Sequence, residues 1–156
     1  MTVVREIWYR ADGLELRGTL AVPDGPGPFP AVLIGHEGPG LDHIQRHRAS
    51  DVAALGYVGF ALDYHGSLSP FADRDAMMDR LGELFANPER NRALGVVALA
   101  VVRREPSVDS TRIAAIGYRF GATVALELAR TGADIRAVVG FHPGADEHQA
   151  RRQPKH

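Results

Sequence analysis

The five residues from Gly117 to Gly121 have types and spacing that could serve nucleophilic catalysis. They read Gly-Tyr-Arg-Phe-Gly, follow an apolar run that ends at Ile116, and open an apolar helical pattern. A strand, two glycines around a central residue and then a helix is typical of the tight turn that presents a nucleophile to a carbonyl carbon. The glycines are needed because strand and helix approach closely. The competing interpretation is a strand-to-helix turn whose glycines serve packing alone.

The central residue of this turn is Arg119, and a guanidinium cannot do that chemistry. Arginine stays protonated and has no lone pair with which to attack a carbonyl. The side chain projects beside the positive end of the following helix. We expect it to form a partly buried ion pair with Glu37, because either charge alone would be costly to bury. A loose pair would instead favour binding of a small anion.

A second candidate segment is the loop His36-Glu37-Gly38-Pro39-Gly40, which follows the first buried apolar run. A loop in this place can give one backbone N–H to an oxyanion hole, and Phe120 would give the other. A nucleotide-binding loop is the rival interpretation, but Pro39 has no N–H to offer a phosphate. The predicted site around Arg119 therefore comprises Glu37, Gly38, Phe120, Tyr118 and His36.

Other polar residues stand near the ends of predicted strands, namely Asp63, His65, Ser67, Ser69 and His142. They could line the same cleft or simply hydrogen-bond a turn. Such residues more often cap turns than catalyse. His43 and His47 have the spacing of a metal pair but lack a third ligand, so we expect an exposed helix face. No metal site and no cofactor are predicted.

The elements that position these segments alternate between strands and helices. We expect an N-terminal hairpin that turns at Ala11-Asp12-Gly13, followed by four buried strands within 31–36, 57–63, 112–118 and 137–142. Four helices should alternate with these strands, beginning at Asp42, Phe71, Asn87 and Phe120. The second of them should span 71–85, and the last should be apolar nearly all round. Such alternation predicts an α/β fold with a mostly parallel sheet, helices on both faces and an antiparallel N-terminal edge. Ligands of such sheets bind beyond the carboxyl ends of the strands.

Composition narrows the function classes. The chain has 156 residues, 45% of them hydrophobic and 24% charged, with a net charge of −1. One soluble domain is expected, without a nucleic-acid or membrane partner. Cysteine is absent, which excludes disulfides, thiolate metal sites and a cysteine nucleophile. No signal peptide is recognisable at the N-terminus, so the expected location is the cytoplasm.

The two motifs together resemble the dienelactone hydrolase family of α/β-hydrolases, over about residues 1 to 144. The stretch "GHEGPGL" is similar to the family's loop, in which a glutamate contacts the nucleophile, and "RIAAIGYRFGATVALELA" is similar to its elbow, usually Gly-Tyr-Cys-Phe-Gly-Gly. The stretch "GYVGFALDYHG" fits between them. The resemblance implies hydrolysis of an ester or lactone by a cysteine, with a histidine base and an orienting aspartate.

This sequence departs from the family pattern at the residues that react. The cysteine position maps to Arg119, and the second glycine of the usual pair maps to Ala122. The family's aspartate and histidine follow two further strands, so we expect a C-terminally shortened domain over residues 1–144 with an irregular tail over 145–156. A catalytically impaired hydrolase-like protein follows from this comparison. Two alternatives remain open: a non-catalytic module for a carboxylate or phosphate, and a structural fragment completed by a partner.

The shortened domain has a further consequence for association. Strand 137–141 would lie at the edge of the sheet, although its residues are apolar on both faces. Unprotected apolar edges are prone to pair with other chains. We therefore expect homo-oligomerisation through this strand, or low stability.

Overall fold

The computed structural model describes residues 1–66 and 71–143, and its elements follow the predicted order. The strands are β1 (Val3–Ala11), β2 (Leu14–Val22), β3 (Phe29–Gly35), β4 (Val58–Ala61), β5 (Val108–Tyr118) and β6 (Val138–Phe141). The helices are α1 (His43–Ala54), α2 (Arg74–Ala86), α3 (Pro88–Arg103) and α4 (Phe120–Arg130). No helix among these residues is long and apolar enough to cross a membrane. Gly144, the predicted tail over 145–156 and both predicted cleft hydroxyls, Ser67 and Ser69, lie outside the described residues.

The predicted N-terminal hairpin is confirmed. Strands β1 and β2 pair antiparallel across Asp12 and Gly13, which have φ angles of 53° and 70°. Positive φ at both central residues is what a two-residue hairpin turn requires to match the twist of its strands. β2 then pairs antiparallel with β4, so the hairpin extends one side of the sheet.

The sheet is mostly parallel, as predicted. Its strand order is β1-β2-β4-β3-β5-β6, and β4, β3, β5 and β6 run parallel to one another. Neighbouring residues of β3 point to opposite faces. Leu33 belongs to the core cluster that includes residues of α2, α3 and α4, whereas Ile34 belongs to the cluster that includes Ala49 and Ala53 of α1. Helices therefore cover both faces, and the carboxyl ends of β3, β4, β5 and β6 meet at one edge.

Two helices begin directly after the predicted starting residues, Asp42 and Asn87, which cap them. The Asp42 carboxylate accepts hydrogen bonds from the backbone N–H groups of Ile44 and Gln45 at the start of α1. The Asn87 side chain accepts from Arg90 N–H, and Pro88 is the first residue of α3. Both arrangements satisfy N–H groups that lack an intrahelical acceptor.

The predicted start of the second helix at Phe71 is wrong. The helix α2 begins at Arg74, because the Asp73 carboxylate accepts from Asp75 N–H and thereby caps it. Leu81 and Leu84 of this helix are buried, whereas Met78 is 51% exposed.

Strand β6 lies at an edge of the sheet, as predicted for the shortened domain, and is not the buried strand that its apolar pattern indicated. Val139 is 46% and Phe141 48% exposed. Among the described residues β6 pairs with β5 alone and forms one edge of the sheet. Helix α4 packs against it, and the exposed side chains lie where no described element covers them. Helix α4 itself is largely buried, as predicted, although Leu126 remains 38% exposed.

Candidate functional site

The turn at Arg119 is tight because three glycines let two elements touch. A Cβ added to Gly117 would lie 2.1 Å from the carbonyl oxygen of Gly121, and one added to Gly121 would lie 2.3 Å from that of Gly35. Both distances are shorter than real Cβ contacts allow. Strand β3, strand β5 and helix α4 therefore meet through bare backbone. Glycine is the only residue that permits this approach.

Arg119 occupies the strained central position of the turn. It stands between the last residue of β5 and the first of α4, with φ 51° and ψ −114°. Side-chain-bearing residues rarely adopt positive φ, and such conformations cluster at functional sites. Its backbone N–H donates to Phe141 O at 2.9 Å, which ties the turn to the end of β6. The conformation is the one expected of an elbow, with a guanidinium where the nucleophile would be.

The hydrogen-bonded ion pair expected between Arg119 and Glu37 is not formed. Arg119 Nε lies 3.8 Å from Glu37 Oε2, and the Arg119 side chain is 72% exposed. This separation is longer than a hydrogen bond. The burial that would have forced a tight pair is missing, because the guanidinium reaches solvent. Its charge is therefore only loosely compensated.

A residue that sequence reasoning missed, Arg48 of α1, is a second cation beside Glu37. Arg48 Nη1 lies 3.5 Å from Glu37 Oε1 and donates to Gln45 Oε1 at 2.8 Å. The Arg48 guanidinium also lies over the Tyr118 ring, 3.5 Å from its centroid. The sequence signal was weak: Gln45 and Arg48 are three apart on one helix face. The contact with Tyr118 depends on tertiary packing.

Tyr118 links this charged cluster to the sheet edge. Its ring stacks on that of Phe141, with centroids 4.9 Å apart and planes at 10°. Tyr118 therefore contacts a guanidinium from α1 and an aromatic ring from β6. Arg48, Tyr118 and Phe141 come from three elements and form a continuous partly exposed surface beside Arg119.

The opposite side of the elbow is buried and aromatic. His36 is fully buried and stacks on Tyr64, with ring centroids 3.5 Å apart. Tyr64 Oη donates to His36 O, and burial raises the pKa of Tyr64 well above its ordinary value, so the hydroxyl stays a donor. The Phe120 ring packs 5.4 Å from that of Tyr64. His36, predicted beside the oxyanion hole, thus makes its contacts within the protein.

The loop that carries Glu37 is fixed by two histidine rings. His36 Nδ1 lies 2.7 Å from Glu37 O, and His65 Nε2 lies 2.8 Å from Gly38 O. A carbonyl oxygen only accepts, so each ring nitrogen must donate. Burial, with the nearby His36, lowers the pKa of His65 to about 4. His65 is therefore neutral at pH 7 and supports the loop by a hydrogen bond.

Asp63 organises the turn after β4, which fits the capping role predicted for it. Its carboxylate accepts from the backbone N–H groups of His65 at 2.9 Å, Gly66 at 3.4 Å and Arg17 at 3.3 Å. Burial alone would raise the pKa of Asp63, but the His36 ring and the N–H donors lower it. His36 Nε2 makes no hydrogen bond and lies 3.7 Å from Asp63 Oδ1.

The predicted oxyanion donors are Phe120 and a backbone N–H of the loop after β3. They come from the two segments that meet where Gly121 lies against the backbone of Gly35. Phe120 opens α4, and Arg119 provides no side-chain cap for that helix. The first N–H groups of a helix lack intrahelical acceptors. Gly38 is buried against Leu81 of α2. The oxyanion hole of Phe120 with Glu37 or Gly38 remains a prediction.

His47 and His142, two further candidates, are exposed. His47 is 78% exposed in its side chain and lies 3.6 Å from Asp51 of the same helix. His142 follows β6 with φ 51° and is exposed. Within residues 1–66 and 71–143, no group of three or more potential metal ligands occurs.

Comparison with known proteins agrees with this geometry. The family model described as "Dienelactone hydrolase family" matches residues 16–156. Among solved structures, m3DLH is 38% identical with a TM-score of 0.88 and covers 93% of this chain. A dienelactone hydrolase-like promiscuous phosphotriesterase, P91 from metagenomic libraries, is 31% identical with a TM-score of 0.87 and covers 97% of this chain.

Curated relatives include a probable 2-oxo-3-(5-oxofuran-2-ylidene)propanoate lactonase of Bradyrhizobium sp., 31% identical over 87% of this chain. Esterase FrsA of Enterobacter sp. (strain 638) is 32% identical over 81% of it. The chain spans 61% and 64% of the two solved proteins and 54% and 28% of the two curated ones. With the family model matched over most of its length, and with the loop, elbow and sheet order in place, the chain belongs to the dienelactone hydrolase family.

Proposed function

We propose that this chain keeps the ester- or lactone-binding frame of its family but does not hydrolyse its ligand through residue 119. One observation carries the proposal: the strained elbow position, φ 51°, holds an arginine. A guanidinium is always protonated and cannot form the acyl intermediate. The esterase and lactonase names of its relatives support the substrate class.

The expected activity is low without being zero. Removing a member of a catalytic triad leaves roughly 10³-fold acceleration over water from the oxyanion hole and binding. The uncapped N-terminus of α4 would still polarise a carbonyl placed at the elbow. The proposal therefore predicts slow hydrolysis with no covalent intermediate.

Hydrolysis of 4-nitrophenyl acetate tests this proposal. The parent and an Arg119→Ala variant should release nitrophenolate at equal rates, without a burst. An Arg119→Cys variant should give a burst approaching one equivalent per chain, because the elbow presents a thiolate to the ester. Val96→Cys is the matched control for general thiol reactivity, since Val96 is exposed on α3.

Two results would overturn the proposal. A saturable parent rate that disappears in Arg119→Ala would make Arg119 part of an active hydrolase. A burst in Arg119→Cys no larger or faster than in Val96→Cys would mean that the elbow no longer presents a reactive position. Peptide mapping by tandem mass spectrometry identifies the acylated residue in the two cysteine variants.

A second candidate function is non-catalytic binding of a small carboxylate or phosphate. The observation that favours it is the loose pair at 3.8 Å, which leaves a 72% exposed guanidinium beside an uncapped helix N-terminus. Arginine recognises carboxylates and phosphates by planar, charge-assisted hydrogen bonds. Saturable, Arg119-dependent anion binding without ester turnover is the expected result for this function.

A further inference from the structure

Arg48 is held more firmly than Arg119. Its guanidinium stacks on Tyr118 at 3.5 Å and donates to the buried Gln45 side chain at 2.8 Å. Its side chain is 26% exposed, against 72% for Arg119. A cation over an aromatic face is stabilised by the ring quadrupole. Arg48 is therefore preorganised, whereas Arg119 is not.

Glu37 lies between these two guanidinium groups and is bonded tightly to neither. Its Oε1 is 3.5 Å from Arg48 Nη1, and its Oε2 is 3.8 Å from Arg119 Nε. Charge-assisted hydrogen bonds are normally shorter, about 2.7–2.9 Å. The three side chains together carry one net positive charge. One monoanion would neutralise the cluster, whereas a dianion would leave a negative charge beside Glu37.

We propose that Arg48 is the specificity-determining residue of a monocarboxylate site, in which it holds Glu37 back so that Arg119 can bind the ligand. This inference rests on the second candidate function. Without Arg48, the Glu37 carboxylate would be free to close on Arg119 and occupy the ligand's place. The stacked rings of Tyr118 and Phe141, the latter 48% exposed, provide apolar surface for the body of the ligand.

Titration with benzoate tests the inference, with binding measured by isothermal calorimetry and by the arginine Nε–Hε signals in NMR. Benzamide is the neutral ligand of the same shape. The parent should bind benzoate and not benzamide, and Arg119→Gln should weaken binding at least roughly tenfold, since hydrogen bonds between charged groups are involved. Glu37→Gln should strengthen benzoate binding, because it removes the competing carboxylate.

Arg48→Gln should also weaken benzoate binding roughly tenfold, through lost charge and through release of Glu37. Arg46→Gln is the matched control: the same charge is lost on the same helix, near Glu6 instead of Glu37, and the change should stay within about twofold because of solvent screening. Arg48→Lys keeps the charge but loses the planar stack, and should weaken binding as well. In the Glu37→Gln background, Arg48→Gln should cost much less, because its partner is gone.

The possible failures separate the inference from the function on which it rests. If the parent binds no benzoate, or if Arg119→Gln leaves the affinity unchanged, the carboxylate-binding function is wrong, and the inference with it. If binding depends on Arg119 but Arg48→Gln behaves like Arg46→Gln, only the role of Arg48 is wrong. Parent-like affinity in Arg48→Lys, or an undiminished Arg48→Gln effect without Glu37, would equally overturn the positioning role. Circular dichroism confirms that each variant is folded.

Discussion

The two sides of the elbow differ in almost every physical respect. The buried side is aromatic, close-packed and hydrogen-bonded to the loop backbone, and consists of His36, Tyr64, His65 and Phe120. The open side is charged and partly exposed, and consists of Glu37, Arg48, Tyr118, Arg119 and Phe141. The contacts that shape the turn are made by the buried side and by backbone groups, including the glycines and the hydrogen bond from Arg119 N–H to Phe141 O. The frame of the family can therefore persist when the central residue changes, because none of those contacts uses the side chain at position 119.

The largest expected effect comes from filling the glycine contact on which both sides depend. Gly121→Ala should destabilise the fold by more than about 3 kcal/mol, because the new Cβ would meet the Gly35 carbonyl backbone at 2.3 Å. Gly82→Ala is the matched control, since nothing lies within 4 Å of its Cβ on helix α2. That change should stabilise by about 0.5–1 kcal/mol. Urea unfolding measures both, and a Gly121→Ala chain as stable as the parent would show that the contact can relax.

The next effect is a pH dependence confined to the buried side. The pKa of His65 is about 4 in the folded protein against 6.5 when unperturbed. Because the unfolded state binds the proton first, stability is full above pH 6.5 and falls as the pH drops towards 4, by roughly 3 kcal/mol in all. The stability that Asp63 contributes is lost only as the pH falls below its ordinary pKa of 3.8, because the pKa of Asp63 is lowered in the folded protein.

Urea unfolding between pH 7 and pH 4 measures this loss. His65→Gln, whose amide can still donate to Gly38 O, should flatten the curve over that range. His47→Gln, at an exposed position on α1, should leave the slope unchanged. An unchanged slope in His65→Gln would assign the titration to other groups.

Self-association through the edge of the open side is expected to be a smaller effect. Strand β6 exposes Val139 at the sheet edge, and Val139→Lys should weaken association by about 2 kcal/mol through lost apolar burial and added charge. Val96→Lys is the control, because Val96 has a similar exposure on helix α3. Light scattering across a concentration series measures the mass. A monomeric parent at all concentrations would count against the edge as an interface.

The smallest effect concerns the strain at the elbow itself. Arg119→Gly should stabilise the fold by about 1 kcal/mol, because glycine adopts φ 51° without steric cost. Arg119→Ala keeps a Cβ and should gain little. Thermal unfolding of the two variants gives the difference. Equal stability would mean that the turn is not strained by its side chain.

Much of the fold could be predicted from the sequence because local signals agreed with one another. The hairpin followed from Asp12-Gly13, two helix starts from Asp42 and Asn87, and the tight turn from the glycines around Arg119. The start of α2 was missed, because Asp73 is a better cap than any residue near Phe71. The apolar pattern of β6 alone indicated a buried strand, because apolar residues do not reveal whether a neighbour covers them, and only the shortened domain predicted its place at the edge of the sheet.

For the site, residue types alone excluded a covalent mechanism at position 119, because protonated arginine has no nucleophilic atom. Residue types could not determine which of the charged side chains pair with one another. Burial decides whether two charges form a tight pair, and the distance of 3.8 Å to Glu37 reflects an exposed Arg119. The stack of Arg48 on Tyr118 joins residues 70 positions apart, and only the packing of α1 against the end of β5 brings them together. The sequence determined that covalent catalysis at position 119 is impossible, and the tertiary structure decided that the Arg119 guanidinium remains exposed and only loosely paired.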